Sequence, residues 1–146
     1  MISDFGSKYI PRRQTKNSAG YDFYYHGETV TFKPKRFWNK RTYTIDTGIH
    51  LEDGDLKDTS VMLLFPRSSF GKYGFRFTNT VGVIDADYRD SIKCMFTVDK
   101  KMTLKDGDRF MQGVIVRYEV APDEIIPVTE RTGGIGSTDN IEKIKS

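Results

Sequence analysis

An all-β domain is the fold class this sequence predicts, and three observations carry that expectation. Apolar side chains alternate along short runs, as in Ile92, Cys94, Phe96 and Val98 with Lys93 and Thr97 between them, so one face of a pleated strand can be buried while the other stays wet. Gly and Asp punctuate the chain at Asp53-Gly54-Asp55 and Lys105-Asp106-Gly107-Asp108, where tight turns call for unusual backbone angles or local side-chain hydrogen bonds. No stretch holds a helical period for three turns. Strands are accordingly expected at Glu28–Phe32, Tyr43–Leu51, Val61–Phe65, Phe75–Thr78, Ser91–Asp99, Phe110–Val120 and Ile125–Val128. Alternation argues for antiparallel pairing, and many short strands joined by turns argue for a sandwich, jelly roll or barrel.

The 146 residues fit one domain, with 37% hydrophobic and 29% charged residues, a globular balance with enough length for a core. Cys94 is the single cysteine; it excludes an intrachain disulfide and a cysteine-built zinc site, and it suits a reducing cytoplasm. No apolar run approaches the ~18 residues of a membrane span, and residues 1–20 lack the apolar core of a signal peptide. The expectation is an intracellular protein with no membrane partner. A net charge of +3 is unevenly spread: Arg12, Arg13 and Lys16 lie near the start, and Lys33, Lys35, Arg36, Lys40 and Arg41 surround Phe37 and Trp38. Such a run is what a nucleic-acid or regulatory protein partner would use, although solvated hairpins commonly carry the same residues and nothing else in the sequence supports such a partner.

Four segments can carry chemistry. Pro66-Arg67-Ser68-Ser69 follows an apolar strand and offers hydroxyl, amide and guanidinium donors to a phosphate; the plainer reading is a turn in which Arg67 pairs with a carboxylate. In Gly82-Val83-Ile84-Asp85-Ala86-Asp87-Tyr88-Arg89, the two acids would point the same way on an extended backbone and Tyr88 the other. Close carboxylates call for a cation, a proton or an activated water, unless the loop is an exposed hairpin tip. Gly107-Asp108-Arg109-Phe110-Met111-Gln112 runs into a strand, where Gln112 either serves a site or faces solvent. Arg131-Thr132-Gly133-Gly134-Ile135-Gly136-Ser137-Thr138 has the open amides and hydroxyls of a polyphosphate cradle. It lacks the Gly-Lys-Ser/Thr of a Walker loop, and a linker to a polar tail would have a similar composition.

Taken in order, these segments resemble the five motifs of the trimeric dUTPase family: Ala19-Gly20-Tyr21-Asp22-Phe23, Pro66-Arg67-Ser68-Ser69, Gly82 to Arg89, Gly107 to Gln112, and Gly133 to Thr138. The third is the most specific, and five in sequence from residue 19 to residue 138 are hard to explain by chance. The resemblance implies a distorted jelly-roll or β-barrel-like fold, a homotrimer with shared active sites, a β domain over 1–128 and a glycine-rich arm over 129–146 that closes on the substrate. It implies hydrolysis of dUTP to dUMP and pyrophosphate, which limits uracil in DNA and supplies dUMP for thymidylate synthesis. Mg²⁺ is the implied cofactor, held by substrate phosphates and waters rather than directly by protein ligands.

The resemblance also implies roles for individual residues. Asp85 would activate the attacking water and Asp22 would support the metal-bound water network. Arg67, Ser68, Ser69 and Gln112 would hold phosphates. The main chain of Gly82, Val83 and Ile84 would pair with uracil, and Tyr88 would pack beneath the deoxyribose. Arg131, Gly134, Ile135, Gly136, Ser137 and Thr138 would wrap the γ-phosphate and cover the base. Ile135 stands where the family offers a phenylalanine, so the lid is aliphatic, and Asp90 stands where a glycine usually follows the Asp-Tyr-Arg run. A dCTP deaminase, related in fold, would need a glutamate as proton carrier, and the Asp85 loop has none. A purely binding role for the same fold is disfavoured by the intact Asp85 and Tyr88.

Overall fold

The central layer is built on the nine-residue strand Arg109–Arg117, which pairs along both edges. In the computed structural model of the chain, which describes residues 1–34 and 42–123, eleven strands lie in order: β1 Ile2–Ser3, β2 Gly20–Tyr24, β3 Val30–Phe32, β4 Tyr43–Asp46, β5 Ile49–His50, β6 Ser60–Pro66, β7 Arg76–Phe77, β8 Gly82–Ile84, β9 Lys93–Thr97, β10 Met102–Leu104 and β11 Arg109–Arg117. Among the described residues, two short 3₁₀ turns lie between them, Ser7–Tyr9 and Ser68–Tyr73. The main sheet has the order β2-β11-β6-β8, a second sheet β4-β9-β7, and two strand pairs join β1 to β5 and β3 to β10. Every pairing is antiparallel, as alternation requires. The fold is all-β and jelly-roll-like; among the described residues the sheets remain separate rather than closing into a barrel.

The core fills the space between the sheets. Ile92, Cys94, Phe96 and Val98 are all buried while Lys93 is exposed, so the alternation predicts the facing of β9 correctly. Phe96 stands at the centre of an aromatic cluster, with ring centroids 4.7 Å from Phe75, 5.0 Å from Phe32 and 5.7 Å from Tyr43. Such pairs contribute about 0.5–1.5 kcal/mol each beyond the area they bury. Burial also pushes the Cys94 thiol well above the ordinary thiol range, which keeps it protonated and unreactive.

Several sequence expectations are corrected. The run Tyr43–Leu51 is two strands, β4 and β5, interrupted at Thr47-Gly48. Gly48 has φ +59°, and a Cβ there would lie 2.5 Å from the Phe5 ring, so only glycine admits both the turn and the ring packed on it. The strand expected at Phe110–Val120 runs from Arg109 to Arg117, and the one expected at Ile125–Val128 lies outside the described residues, as does the basic-aromatic run from Lys35 to Arg41. Strands β1, β2, β8 and β10 were not anticipated. Three of them have two or three residues, too few to show a period, and in β2 the buried Asp22 breaks the apolar alternation. The Gly-Asp turns are present as expected, with Gly54 at φ +85° and Gly107 at φ +82°.

The N-terminal segment is fastened to the Gly107 turn through Asp106. Tyr9 Oη donates to both Asp106 carboxylate oxygens at 2.7 and 2.8 Å, the Gly27 amide donates at 3.2 Å, and His26 Nδ1 lies 3.1 Å away. The Tyr9 hydroxyl, then the Gly27 amide, hold this carboxyl down to about 2. A folded-state value below the unfolded one contributes stability that is present above the unfolded pKa of about 3.9 and is lost as pH falls through the folded value. Asp106→Asn is therefore expected to lower Tm near neutral pH, with the gap from the parent protein closing as pH falls from about 4 to about 2; thermal melts of both proteins across that range check it.

Candidate active site

Strand register decides which candidate residues meet. Gln112 pairs opposite Asp22 on β2 and Phe65 on β6, so the three side chains share one face of the main sheet. Leu64, Gly82 and Ile84 fall on the other face, since Leu64 pairs with Gly82 and Met62 with Ile84. Cavities lie at both places. One, of about 380 Å³, is lined by Ala19, Gly20, Asp22, Arg67, Ser68, Arg109 and Gln112 together with Gln14, Ser18 and Val114. The other, of about 210 Å³, is lined by Leu64, Asn79, Gly82, Val83, Ile84, Tyr88, Lys93 and Met95. They share no residue.

The first cavity is organised by a buried carboxylate. Asp22 is 5% exposed, and its two oxygens face two guanidinium groups: Arg67 Nε at 3.0 Å from Oδ1 and Arg109 Nη1 at 3.2 Å from Oδ2. Arg67 also donates from Nη1 to the Arg109 carbonyl at 3.2 Å, and its amide donates to the Phe110 carbonyl at 3.1 Å. These bonds fix the exit of β6, where Pro66 ends the strand and residues 68–73 turn in a 3₁₀ helix that stops at Gly74, φ +63°. Two half-exposed arginines with one carboxylate between them leave net positive charge at the mouth, suited to an anion. The expected pairing of Arg67 with a carboxylate is thus present, and it is compatible with a phosphate role because the guanidinium keeps outward N–H groups. Ser68 is exposed at this cavity. Ser69 instead opens into an adjoining one of about 320 Å³ with Phe70, Lys72, Thr103 and Asp108.

Gly20 matters for its missing side chain: a Cβ there would stand 2.4 Å from Gln112 Oε1. The glycine leaves Gln112 room to lie over the sheet, half-buried, rather than turn out to solvent.

In the second cavity, Gly82 lies against Leu64, where a Cβ would meet Leu64 carbons at 2.9 and 3.0 Å. Thr80, just before this strand, holds φ +66°, which for a β-branched residue stores about 1–3 kcal/mol of strain. Residues 85–88 form a turn closed by the Tyr88 amide on the Asp85 carbonyl at 3.1 Å, so the extended geometry that would align Asp85 with Asp87 does not occur. Asp85 is exposed at the end of β8. The Tyr88 ring is 5% exposed with its hydroxyl donating to the Ser91 carbonyl at 3.3 Å. Arg131, Gly134, Ile135, Gly136, Ser137 and Thr138 lie outside the described residues. Arg109, Gly20, Asn79, Lys93 and Met95 line the cavities without being among the site residues that the sequence predicts. Arg109 and Gly20 sit inside motif segments and were legible there, whereas Asn79, Lys93 and Met95 reach the cavity only through strand pairing.

Comparison with known proteins decides among the readings this geometry allows. The sequence profile of the dUTPase family matches residues 7–139. The chain belongs to the dUTPase family. Among dUTPases, the deoxyuridine 5′-triphosphate nucleotidohydrolase of Lactococcus lactis is 38% identical over 141 residues, covering 88% of this chain and 87% of the relative. That of Coxiella burnetii is 33% identical over 141 residues, covering 91% and 89%. The crystal structure of the Streptococcus mutans dUTPase superposes with a TM-score of 0.65 at 26% identity, covering 82% of this chain and 94% of that one. Within this dUTPase framework, Gly20→Ala is expected to displace the Gln112 amide while costing less than about 1 kcal/mol of stability, because the atom it meets is the end of a movable side chain. Activity should fall with Tm nearly unchanged, measured by turnover assay and thermal melt on the same preparation.

Proposed function

We propose that the chain hydrolyses dUTP to dUMP and pyrophosphate, and the single observation that carries the proposal is family membership along nearly its whole length. In this reading the cavity of Gly82, Val83, Ile84 and Tyr88 takes the nucleoside. The hairpin main chain pairs with the uracil edge, which leaves polar groups unpaired against a wrong base, and Tyr88 packs where a 2′-hydroxyl would otherwise fit. Arg67, Ser68 and Gln112 hold phosphates, with Ser69 beside them. Preplaced donors of this kind stabilise charge that gathers on phosphoryl oxygens as the bond to pyrophosphate breaks. Asp85 takes the proton of the water that attacks the α-phosphorus. Asp22 orients Arg67 and Arg109, and its expected support of a metal-bound water network belongs to the same proposal.

Mg²⁺ is the proposed cofactor. Asp22 is engaged by two arginines, and in this reading the ion is carried by the triphosphate and waters. When bound, it would offset phosphate charge. A dUTPase of phage phi11 of S. aureus, which has this fold at 20% identity, coordinates a structural Mg(II) ion.

A homotrimer with shared active sites belongs to the proposal as well. The two cavities share no lining residue, so a nucleotide that fills a nucleoside site and a phosphate site is best served by two copies. The outer sheet face supplies contact surface: Leu63, Phe65 and Val114 are half-buried and Val83 is 59% exposed, and exposed apolar patches mark such contacts. Residues 1–128 form the β domain, and the arm over 129–146, with Arg131, Gly134, Ile135, Gly136, Ser137 and Thr138, closes on the substrate. No helix among the described residues is long and apolar enough to cross a membrane. A cytoplasmic setting suits the free, buried thiol of Cys94.

The deciding experiment is pyrophosphate release with Mg²⁺ from dUTP, UTP, dTTP and dCTP offered separately. Release from dUTP alone is expected; no release from any, with ammonia from dCTP, would replace hydrolysis by deamination. Asp85→Asn should lower kcat by about 10²–10⁴ while nucleotide binding, read by calorimetry, persists. Tyr88→Ala should narrow the dUTP-to-UTP ratio of kcat/KM, and an unchanged ratio would remove Tyr88 from sugar selection.

A further inference from the structure

His50 lies outside both cavities and outside every motif, yet it touches the turn that carries Asp85 and Tyr88. Its Nδ1 lies 2.9 Å from the Arg89 main-chain carbonyl, and its Nε2 lies 3.1 Å from Asp4 Oδ2. The Arg89 carbonyl belongs to a tightly tied unit: the Tyr88 amide closes on the Asp85 carbonyl at 3.1 Å, and Arg89 Nη1 donates back to the Ala86 carbonyl at 2.7 Å. Holding that carbonyl therefore holds the whole turn. Next to it the Ile92 amide donates to the Ile49 carbonyl at 2.9 Å, and the Asp4 amide donates to Gly48 at 2.8 Å, so both ends of the bridge are anchored in main chain. Arg89 also pairs with Asp53, whose carboxylate is 96% exposed, where an ion pair contributes little.

We propose that His50 is a positioning residue for the Asp85–Arg89 turn, bridging the Asp4 carboxylate to the Arg89 carbonyl so that Asp85 and Tyr88 keep their aim. The catalytic consequence rests on the dUTP-hydrolysis reading above; the structural role does not. Both partners of the imidazole are acceptors, and a neutral imidazole has only one N–H. Either neutral tautomer would set a lone pair against the carbonyl or the carboxylate, so the bridge is complete only when both nitrogens carry protons. The groups around His50 agree with this: the Asp4 carboxylate from the N-terminal segment, the Asp46 carboxylate at the end of β4, which also accepts from Ser91 and faces Lys93, and the neutral Arg89 carbonyl from the turn. The Arg89 carbonyl first, then Asp4 and Asp46, raise the His50 pKa above its ordinary value against the opposing effect of burial. A raised folded-state value means the bridge is whole below it and is lost as pH rises through it.

Two variants and two readouts test this. His50→Gln keeps one donor nitrogen, its other end being an acceptor, and so keeps neither the charge nor the second bond; Asp4→Asn keeps the imidazole and removes its acid. The first readout is amide hydrogen exchange at Tyr88, which should be about ten- to hundred-fold faster in His50→Gln, the loss of one charge-assisted hydrogen bond. The second is kcat for dUTP from about pH 6 to about pH 9, across the ordinary histidine range. The parent protein should lose rate as pH rises through the His50 value, Asp4→Asn should move that inflection to lower pH, and His50→Gln should abolish it with kcat about ten-fold lower or more, as a small misplacement of a base produces. Unchanged Tyr88 exchange and an unchanged pH profile in His50→Gln would overturn the proposal, as would an inflection that Asp4→Asn leaves in place. If the parent protein releases no pyrophosphate, the functional reading fails, and exchange alone still decides whether His50 holds the turn. Should His50→Gln not fold, Asp4→Asn, altered at a side chain more than half exposed, carries both readouts.

Discussion

The register of β11 between β2 and β6 is the constraint on which the rest of this structure depends. Because Gln112 stands opposite both Asp22 and Phe65, the chain leaving β6 and the chain entering β11 converge on the same carboxylate, and Arg67 and Arg109 close over it. Three sequence segments separated by tens of residues become one electrostatic unit. A slip of one residue would send Asp22 and Gln112 into the core and Met111 and Phe23 out of it, so the apolar face and the polar site specify the same register. Removing Arg67 or Arg109 would leave the buried Asp22 carboxylate with one counter-charge fewer, which makes the cluster part of the fold as well as part of the candidate site.

The same sheet divides the chemistry. Strand alternation places Asp22 and Gln112 on one face and Gly82 and Ile84 on the other, and no lining residue is common to the two cavities. The glycines mark where that division needs close approach: Gly20 yields space to Gln112, and Gly82 lets β8 lie on Leu64. Each is a place where a methyl group would change what the neighbouring functional side chain can do.

The turn from Asp85 to Arg89 contrasts with the cluster around Asp22. It projects from the three-residue strand β8, and it is held from elsewhere: by the 46–53 segment and, through His50, by the N-terminal residues. The Phe5 ring over Gly48 and the Tyr9 hydroxyl on Asp106 secure that N-terminal segment at both its ends. Residues far from the motifs therefore contribute to the placement of the Asp85–Arg89 turn by packing and hydrogen bonding.

Sequence by itself determined the class of fold, the facing of long strands such as β9, the positions of the Gly-Asp turns and the order of the motifs, because these depend on local periodicity and on backbone preferences of single residue types. It also marked Asp22, Arg67 and Gln112 as residues of interest without showing that they meet. Tertiary structure alone decided the break at Gly48, the short strands β1, β8 and β10, the burial of Asp22 between two arginines, the separation of Ser68 from Ser69, and the approach of Asn79, Lys93 and His50 to functional segments. Each of these depends on contacts between residues distant along the chain, which two- or three-residue strands and isolated polar side chains do not announce in any local pattern.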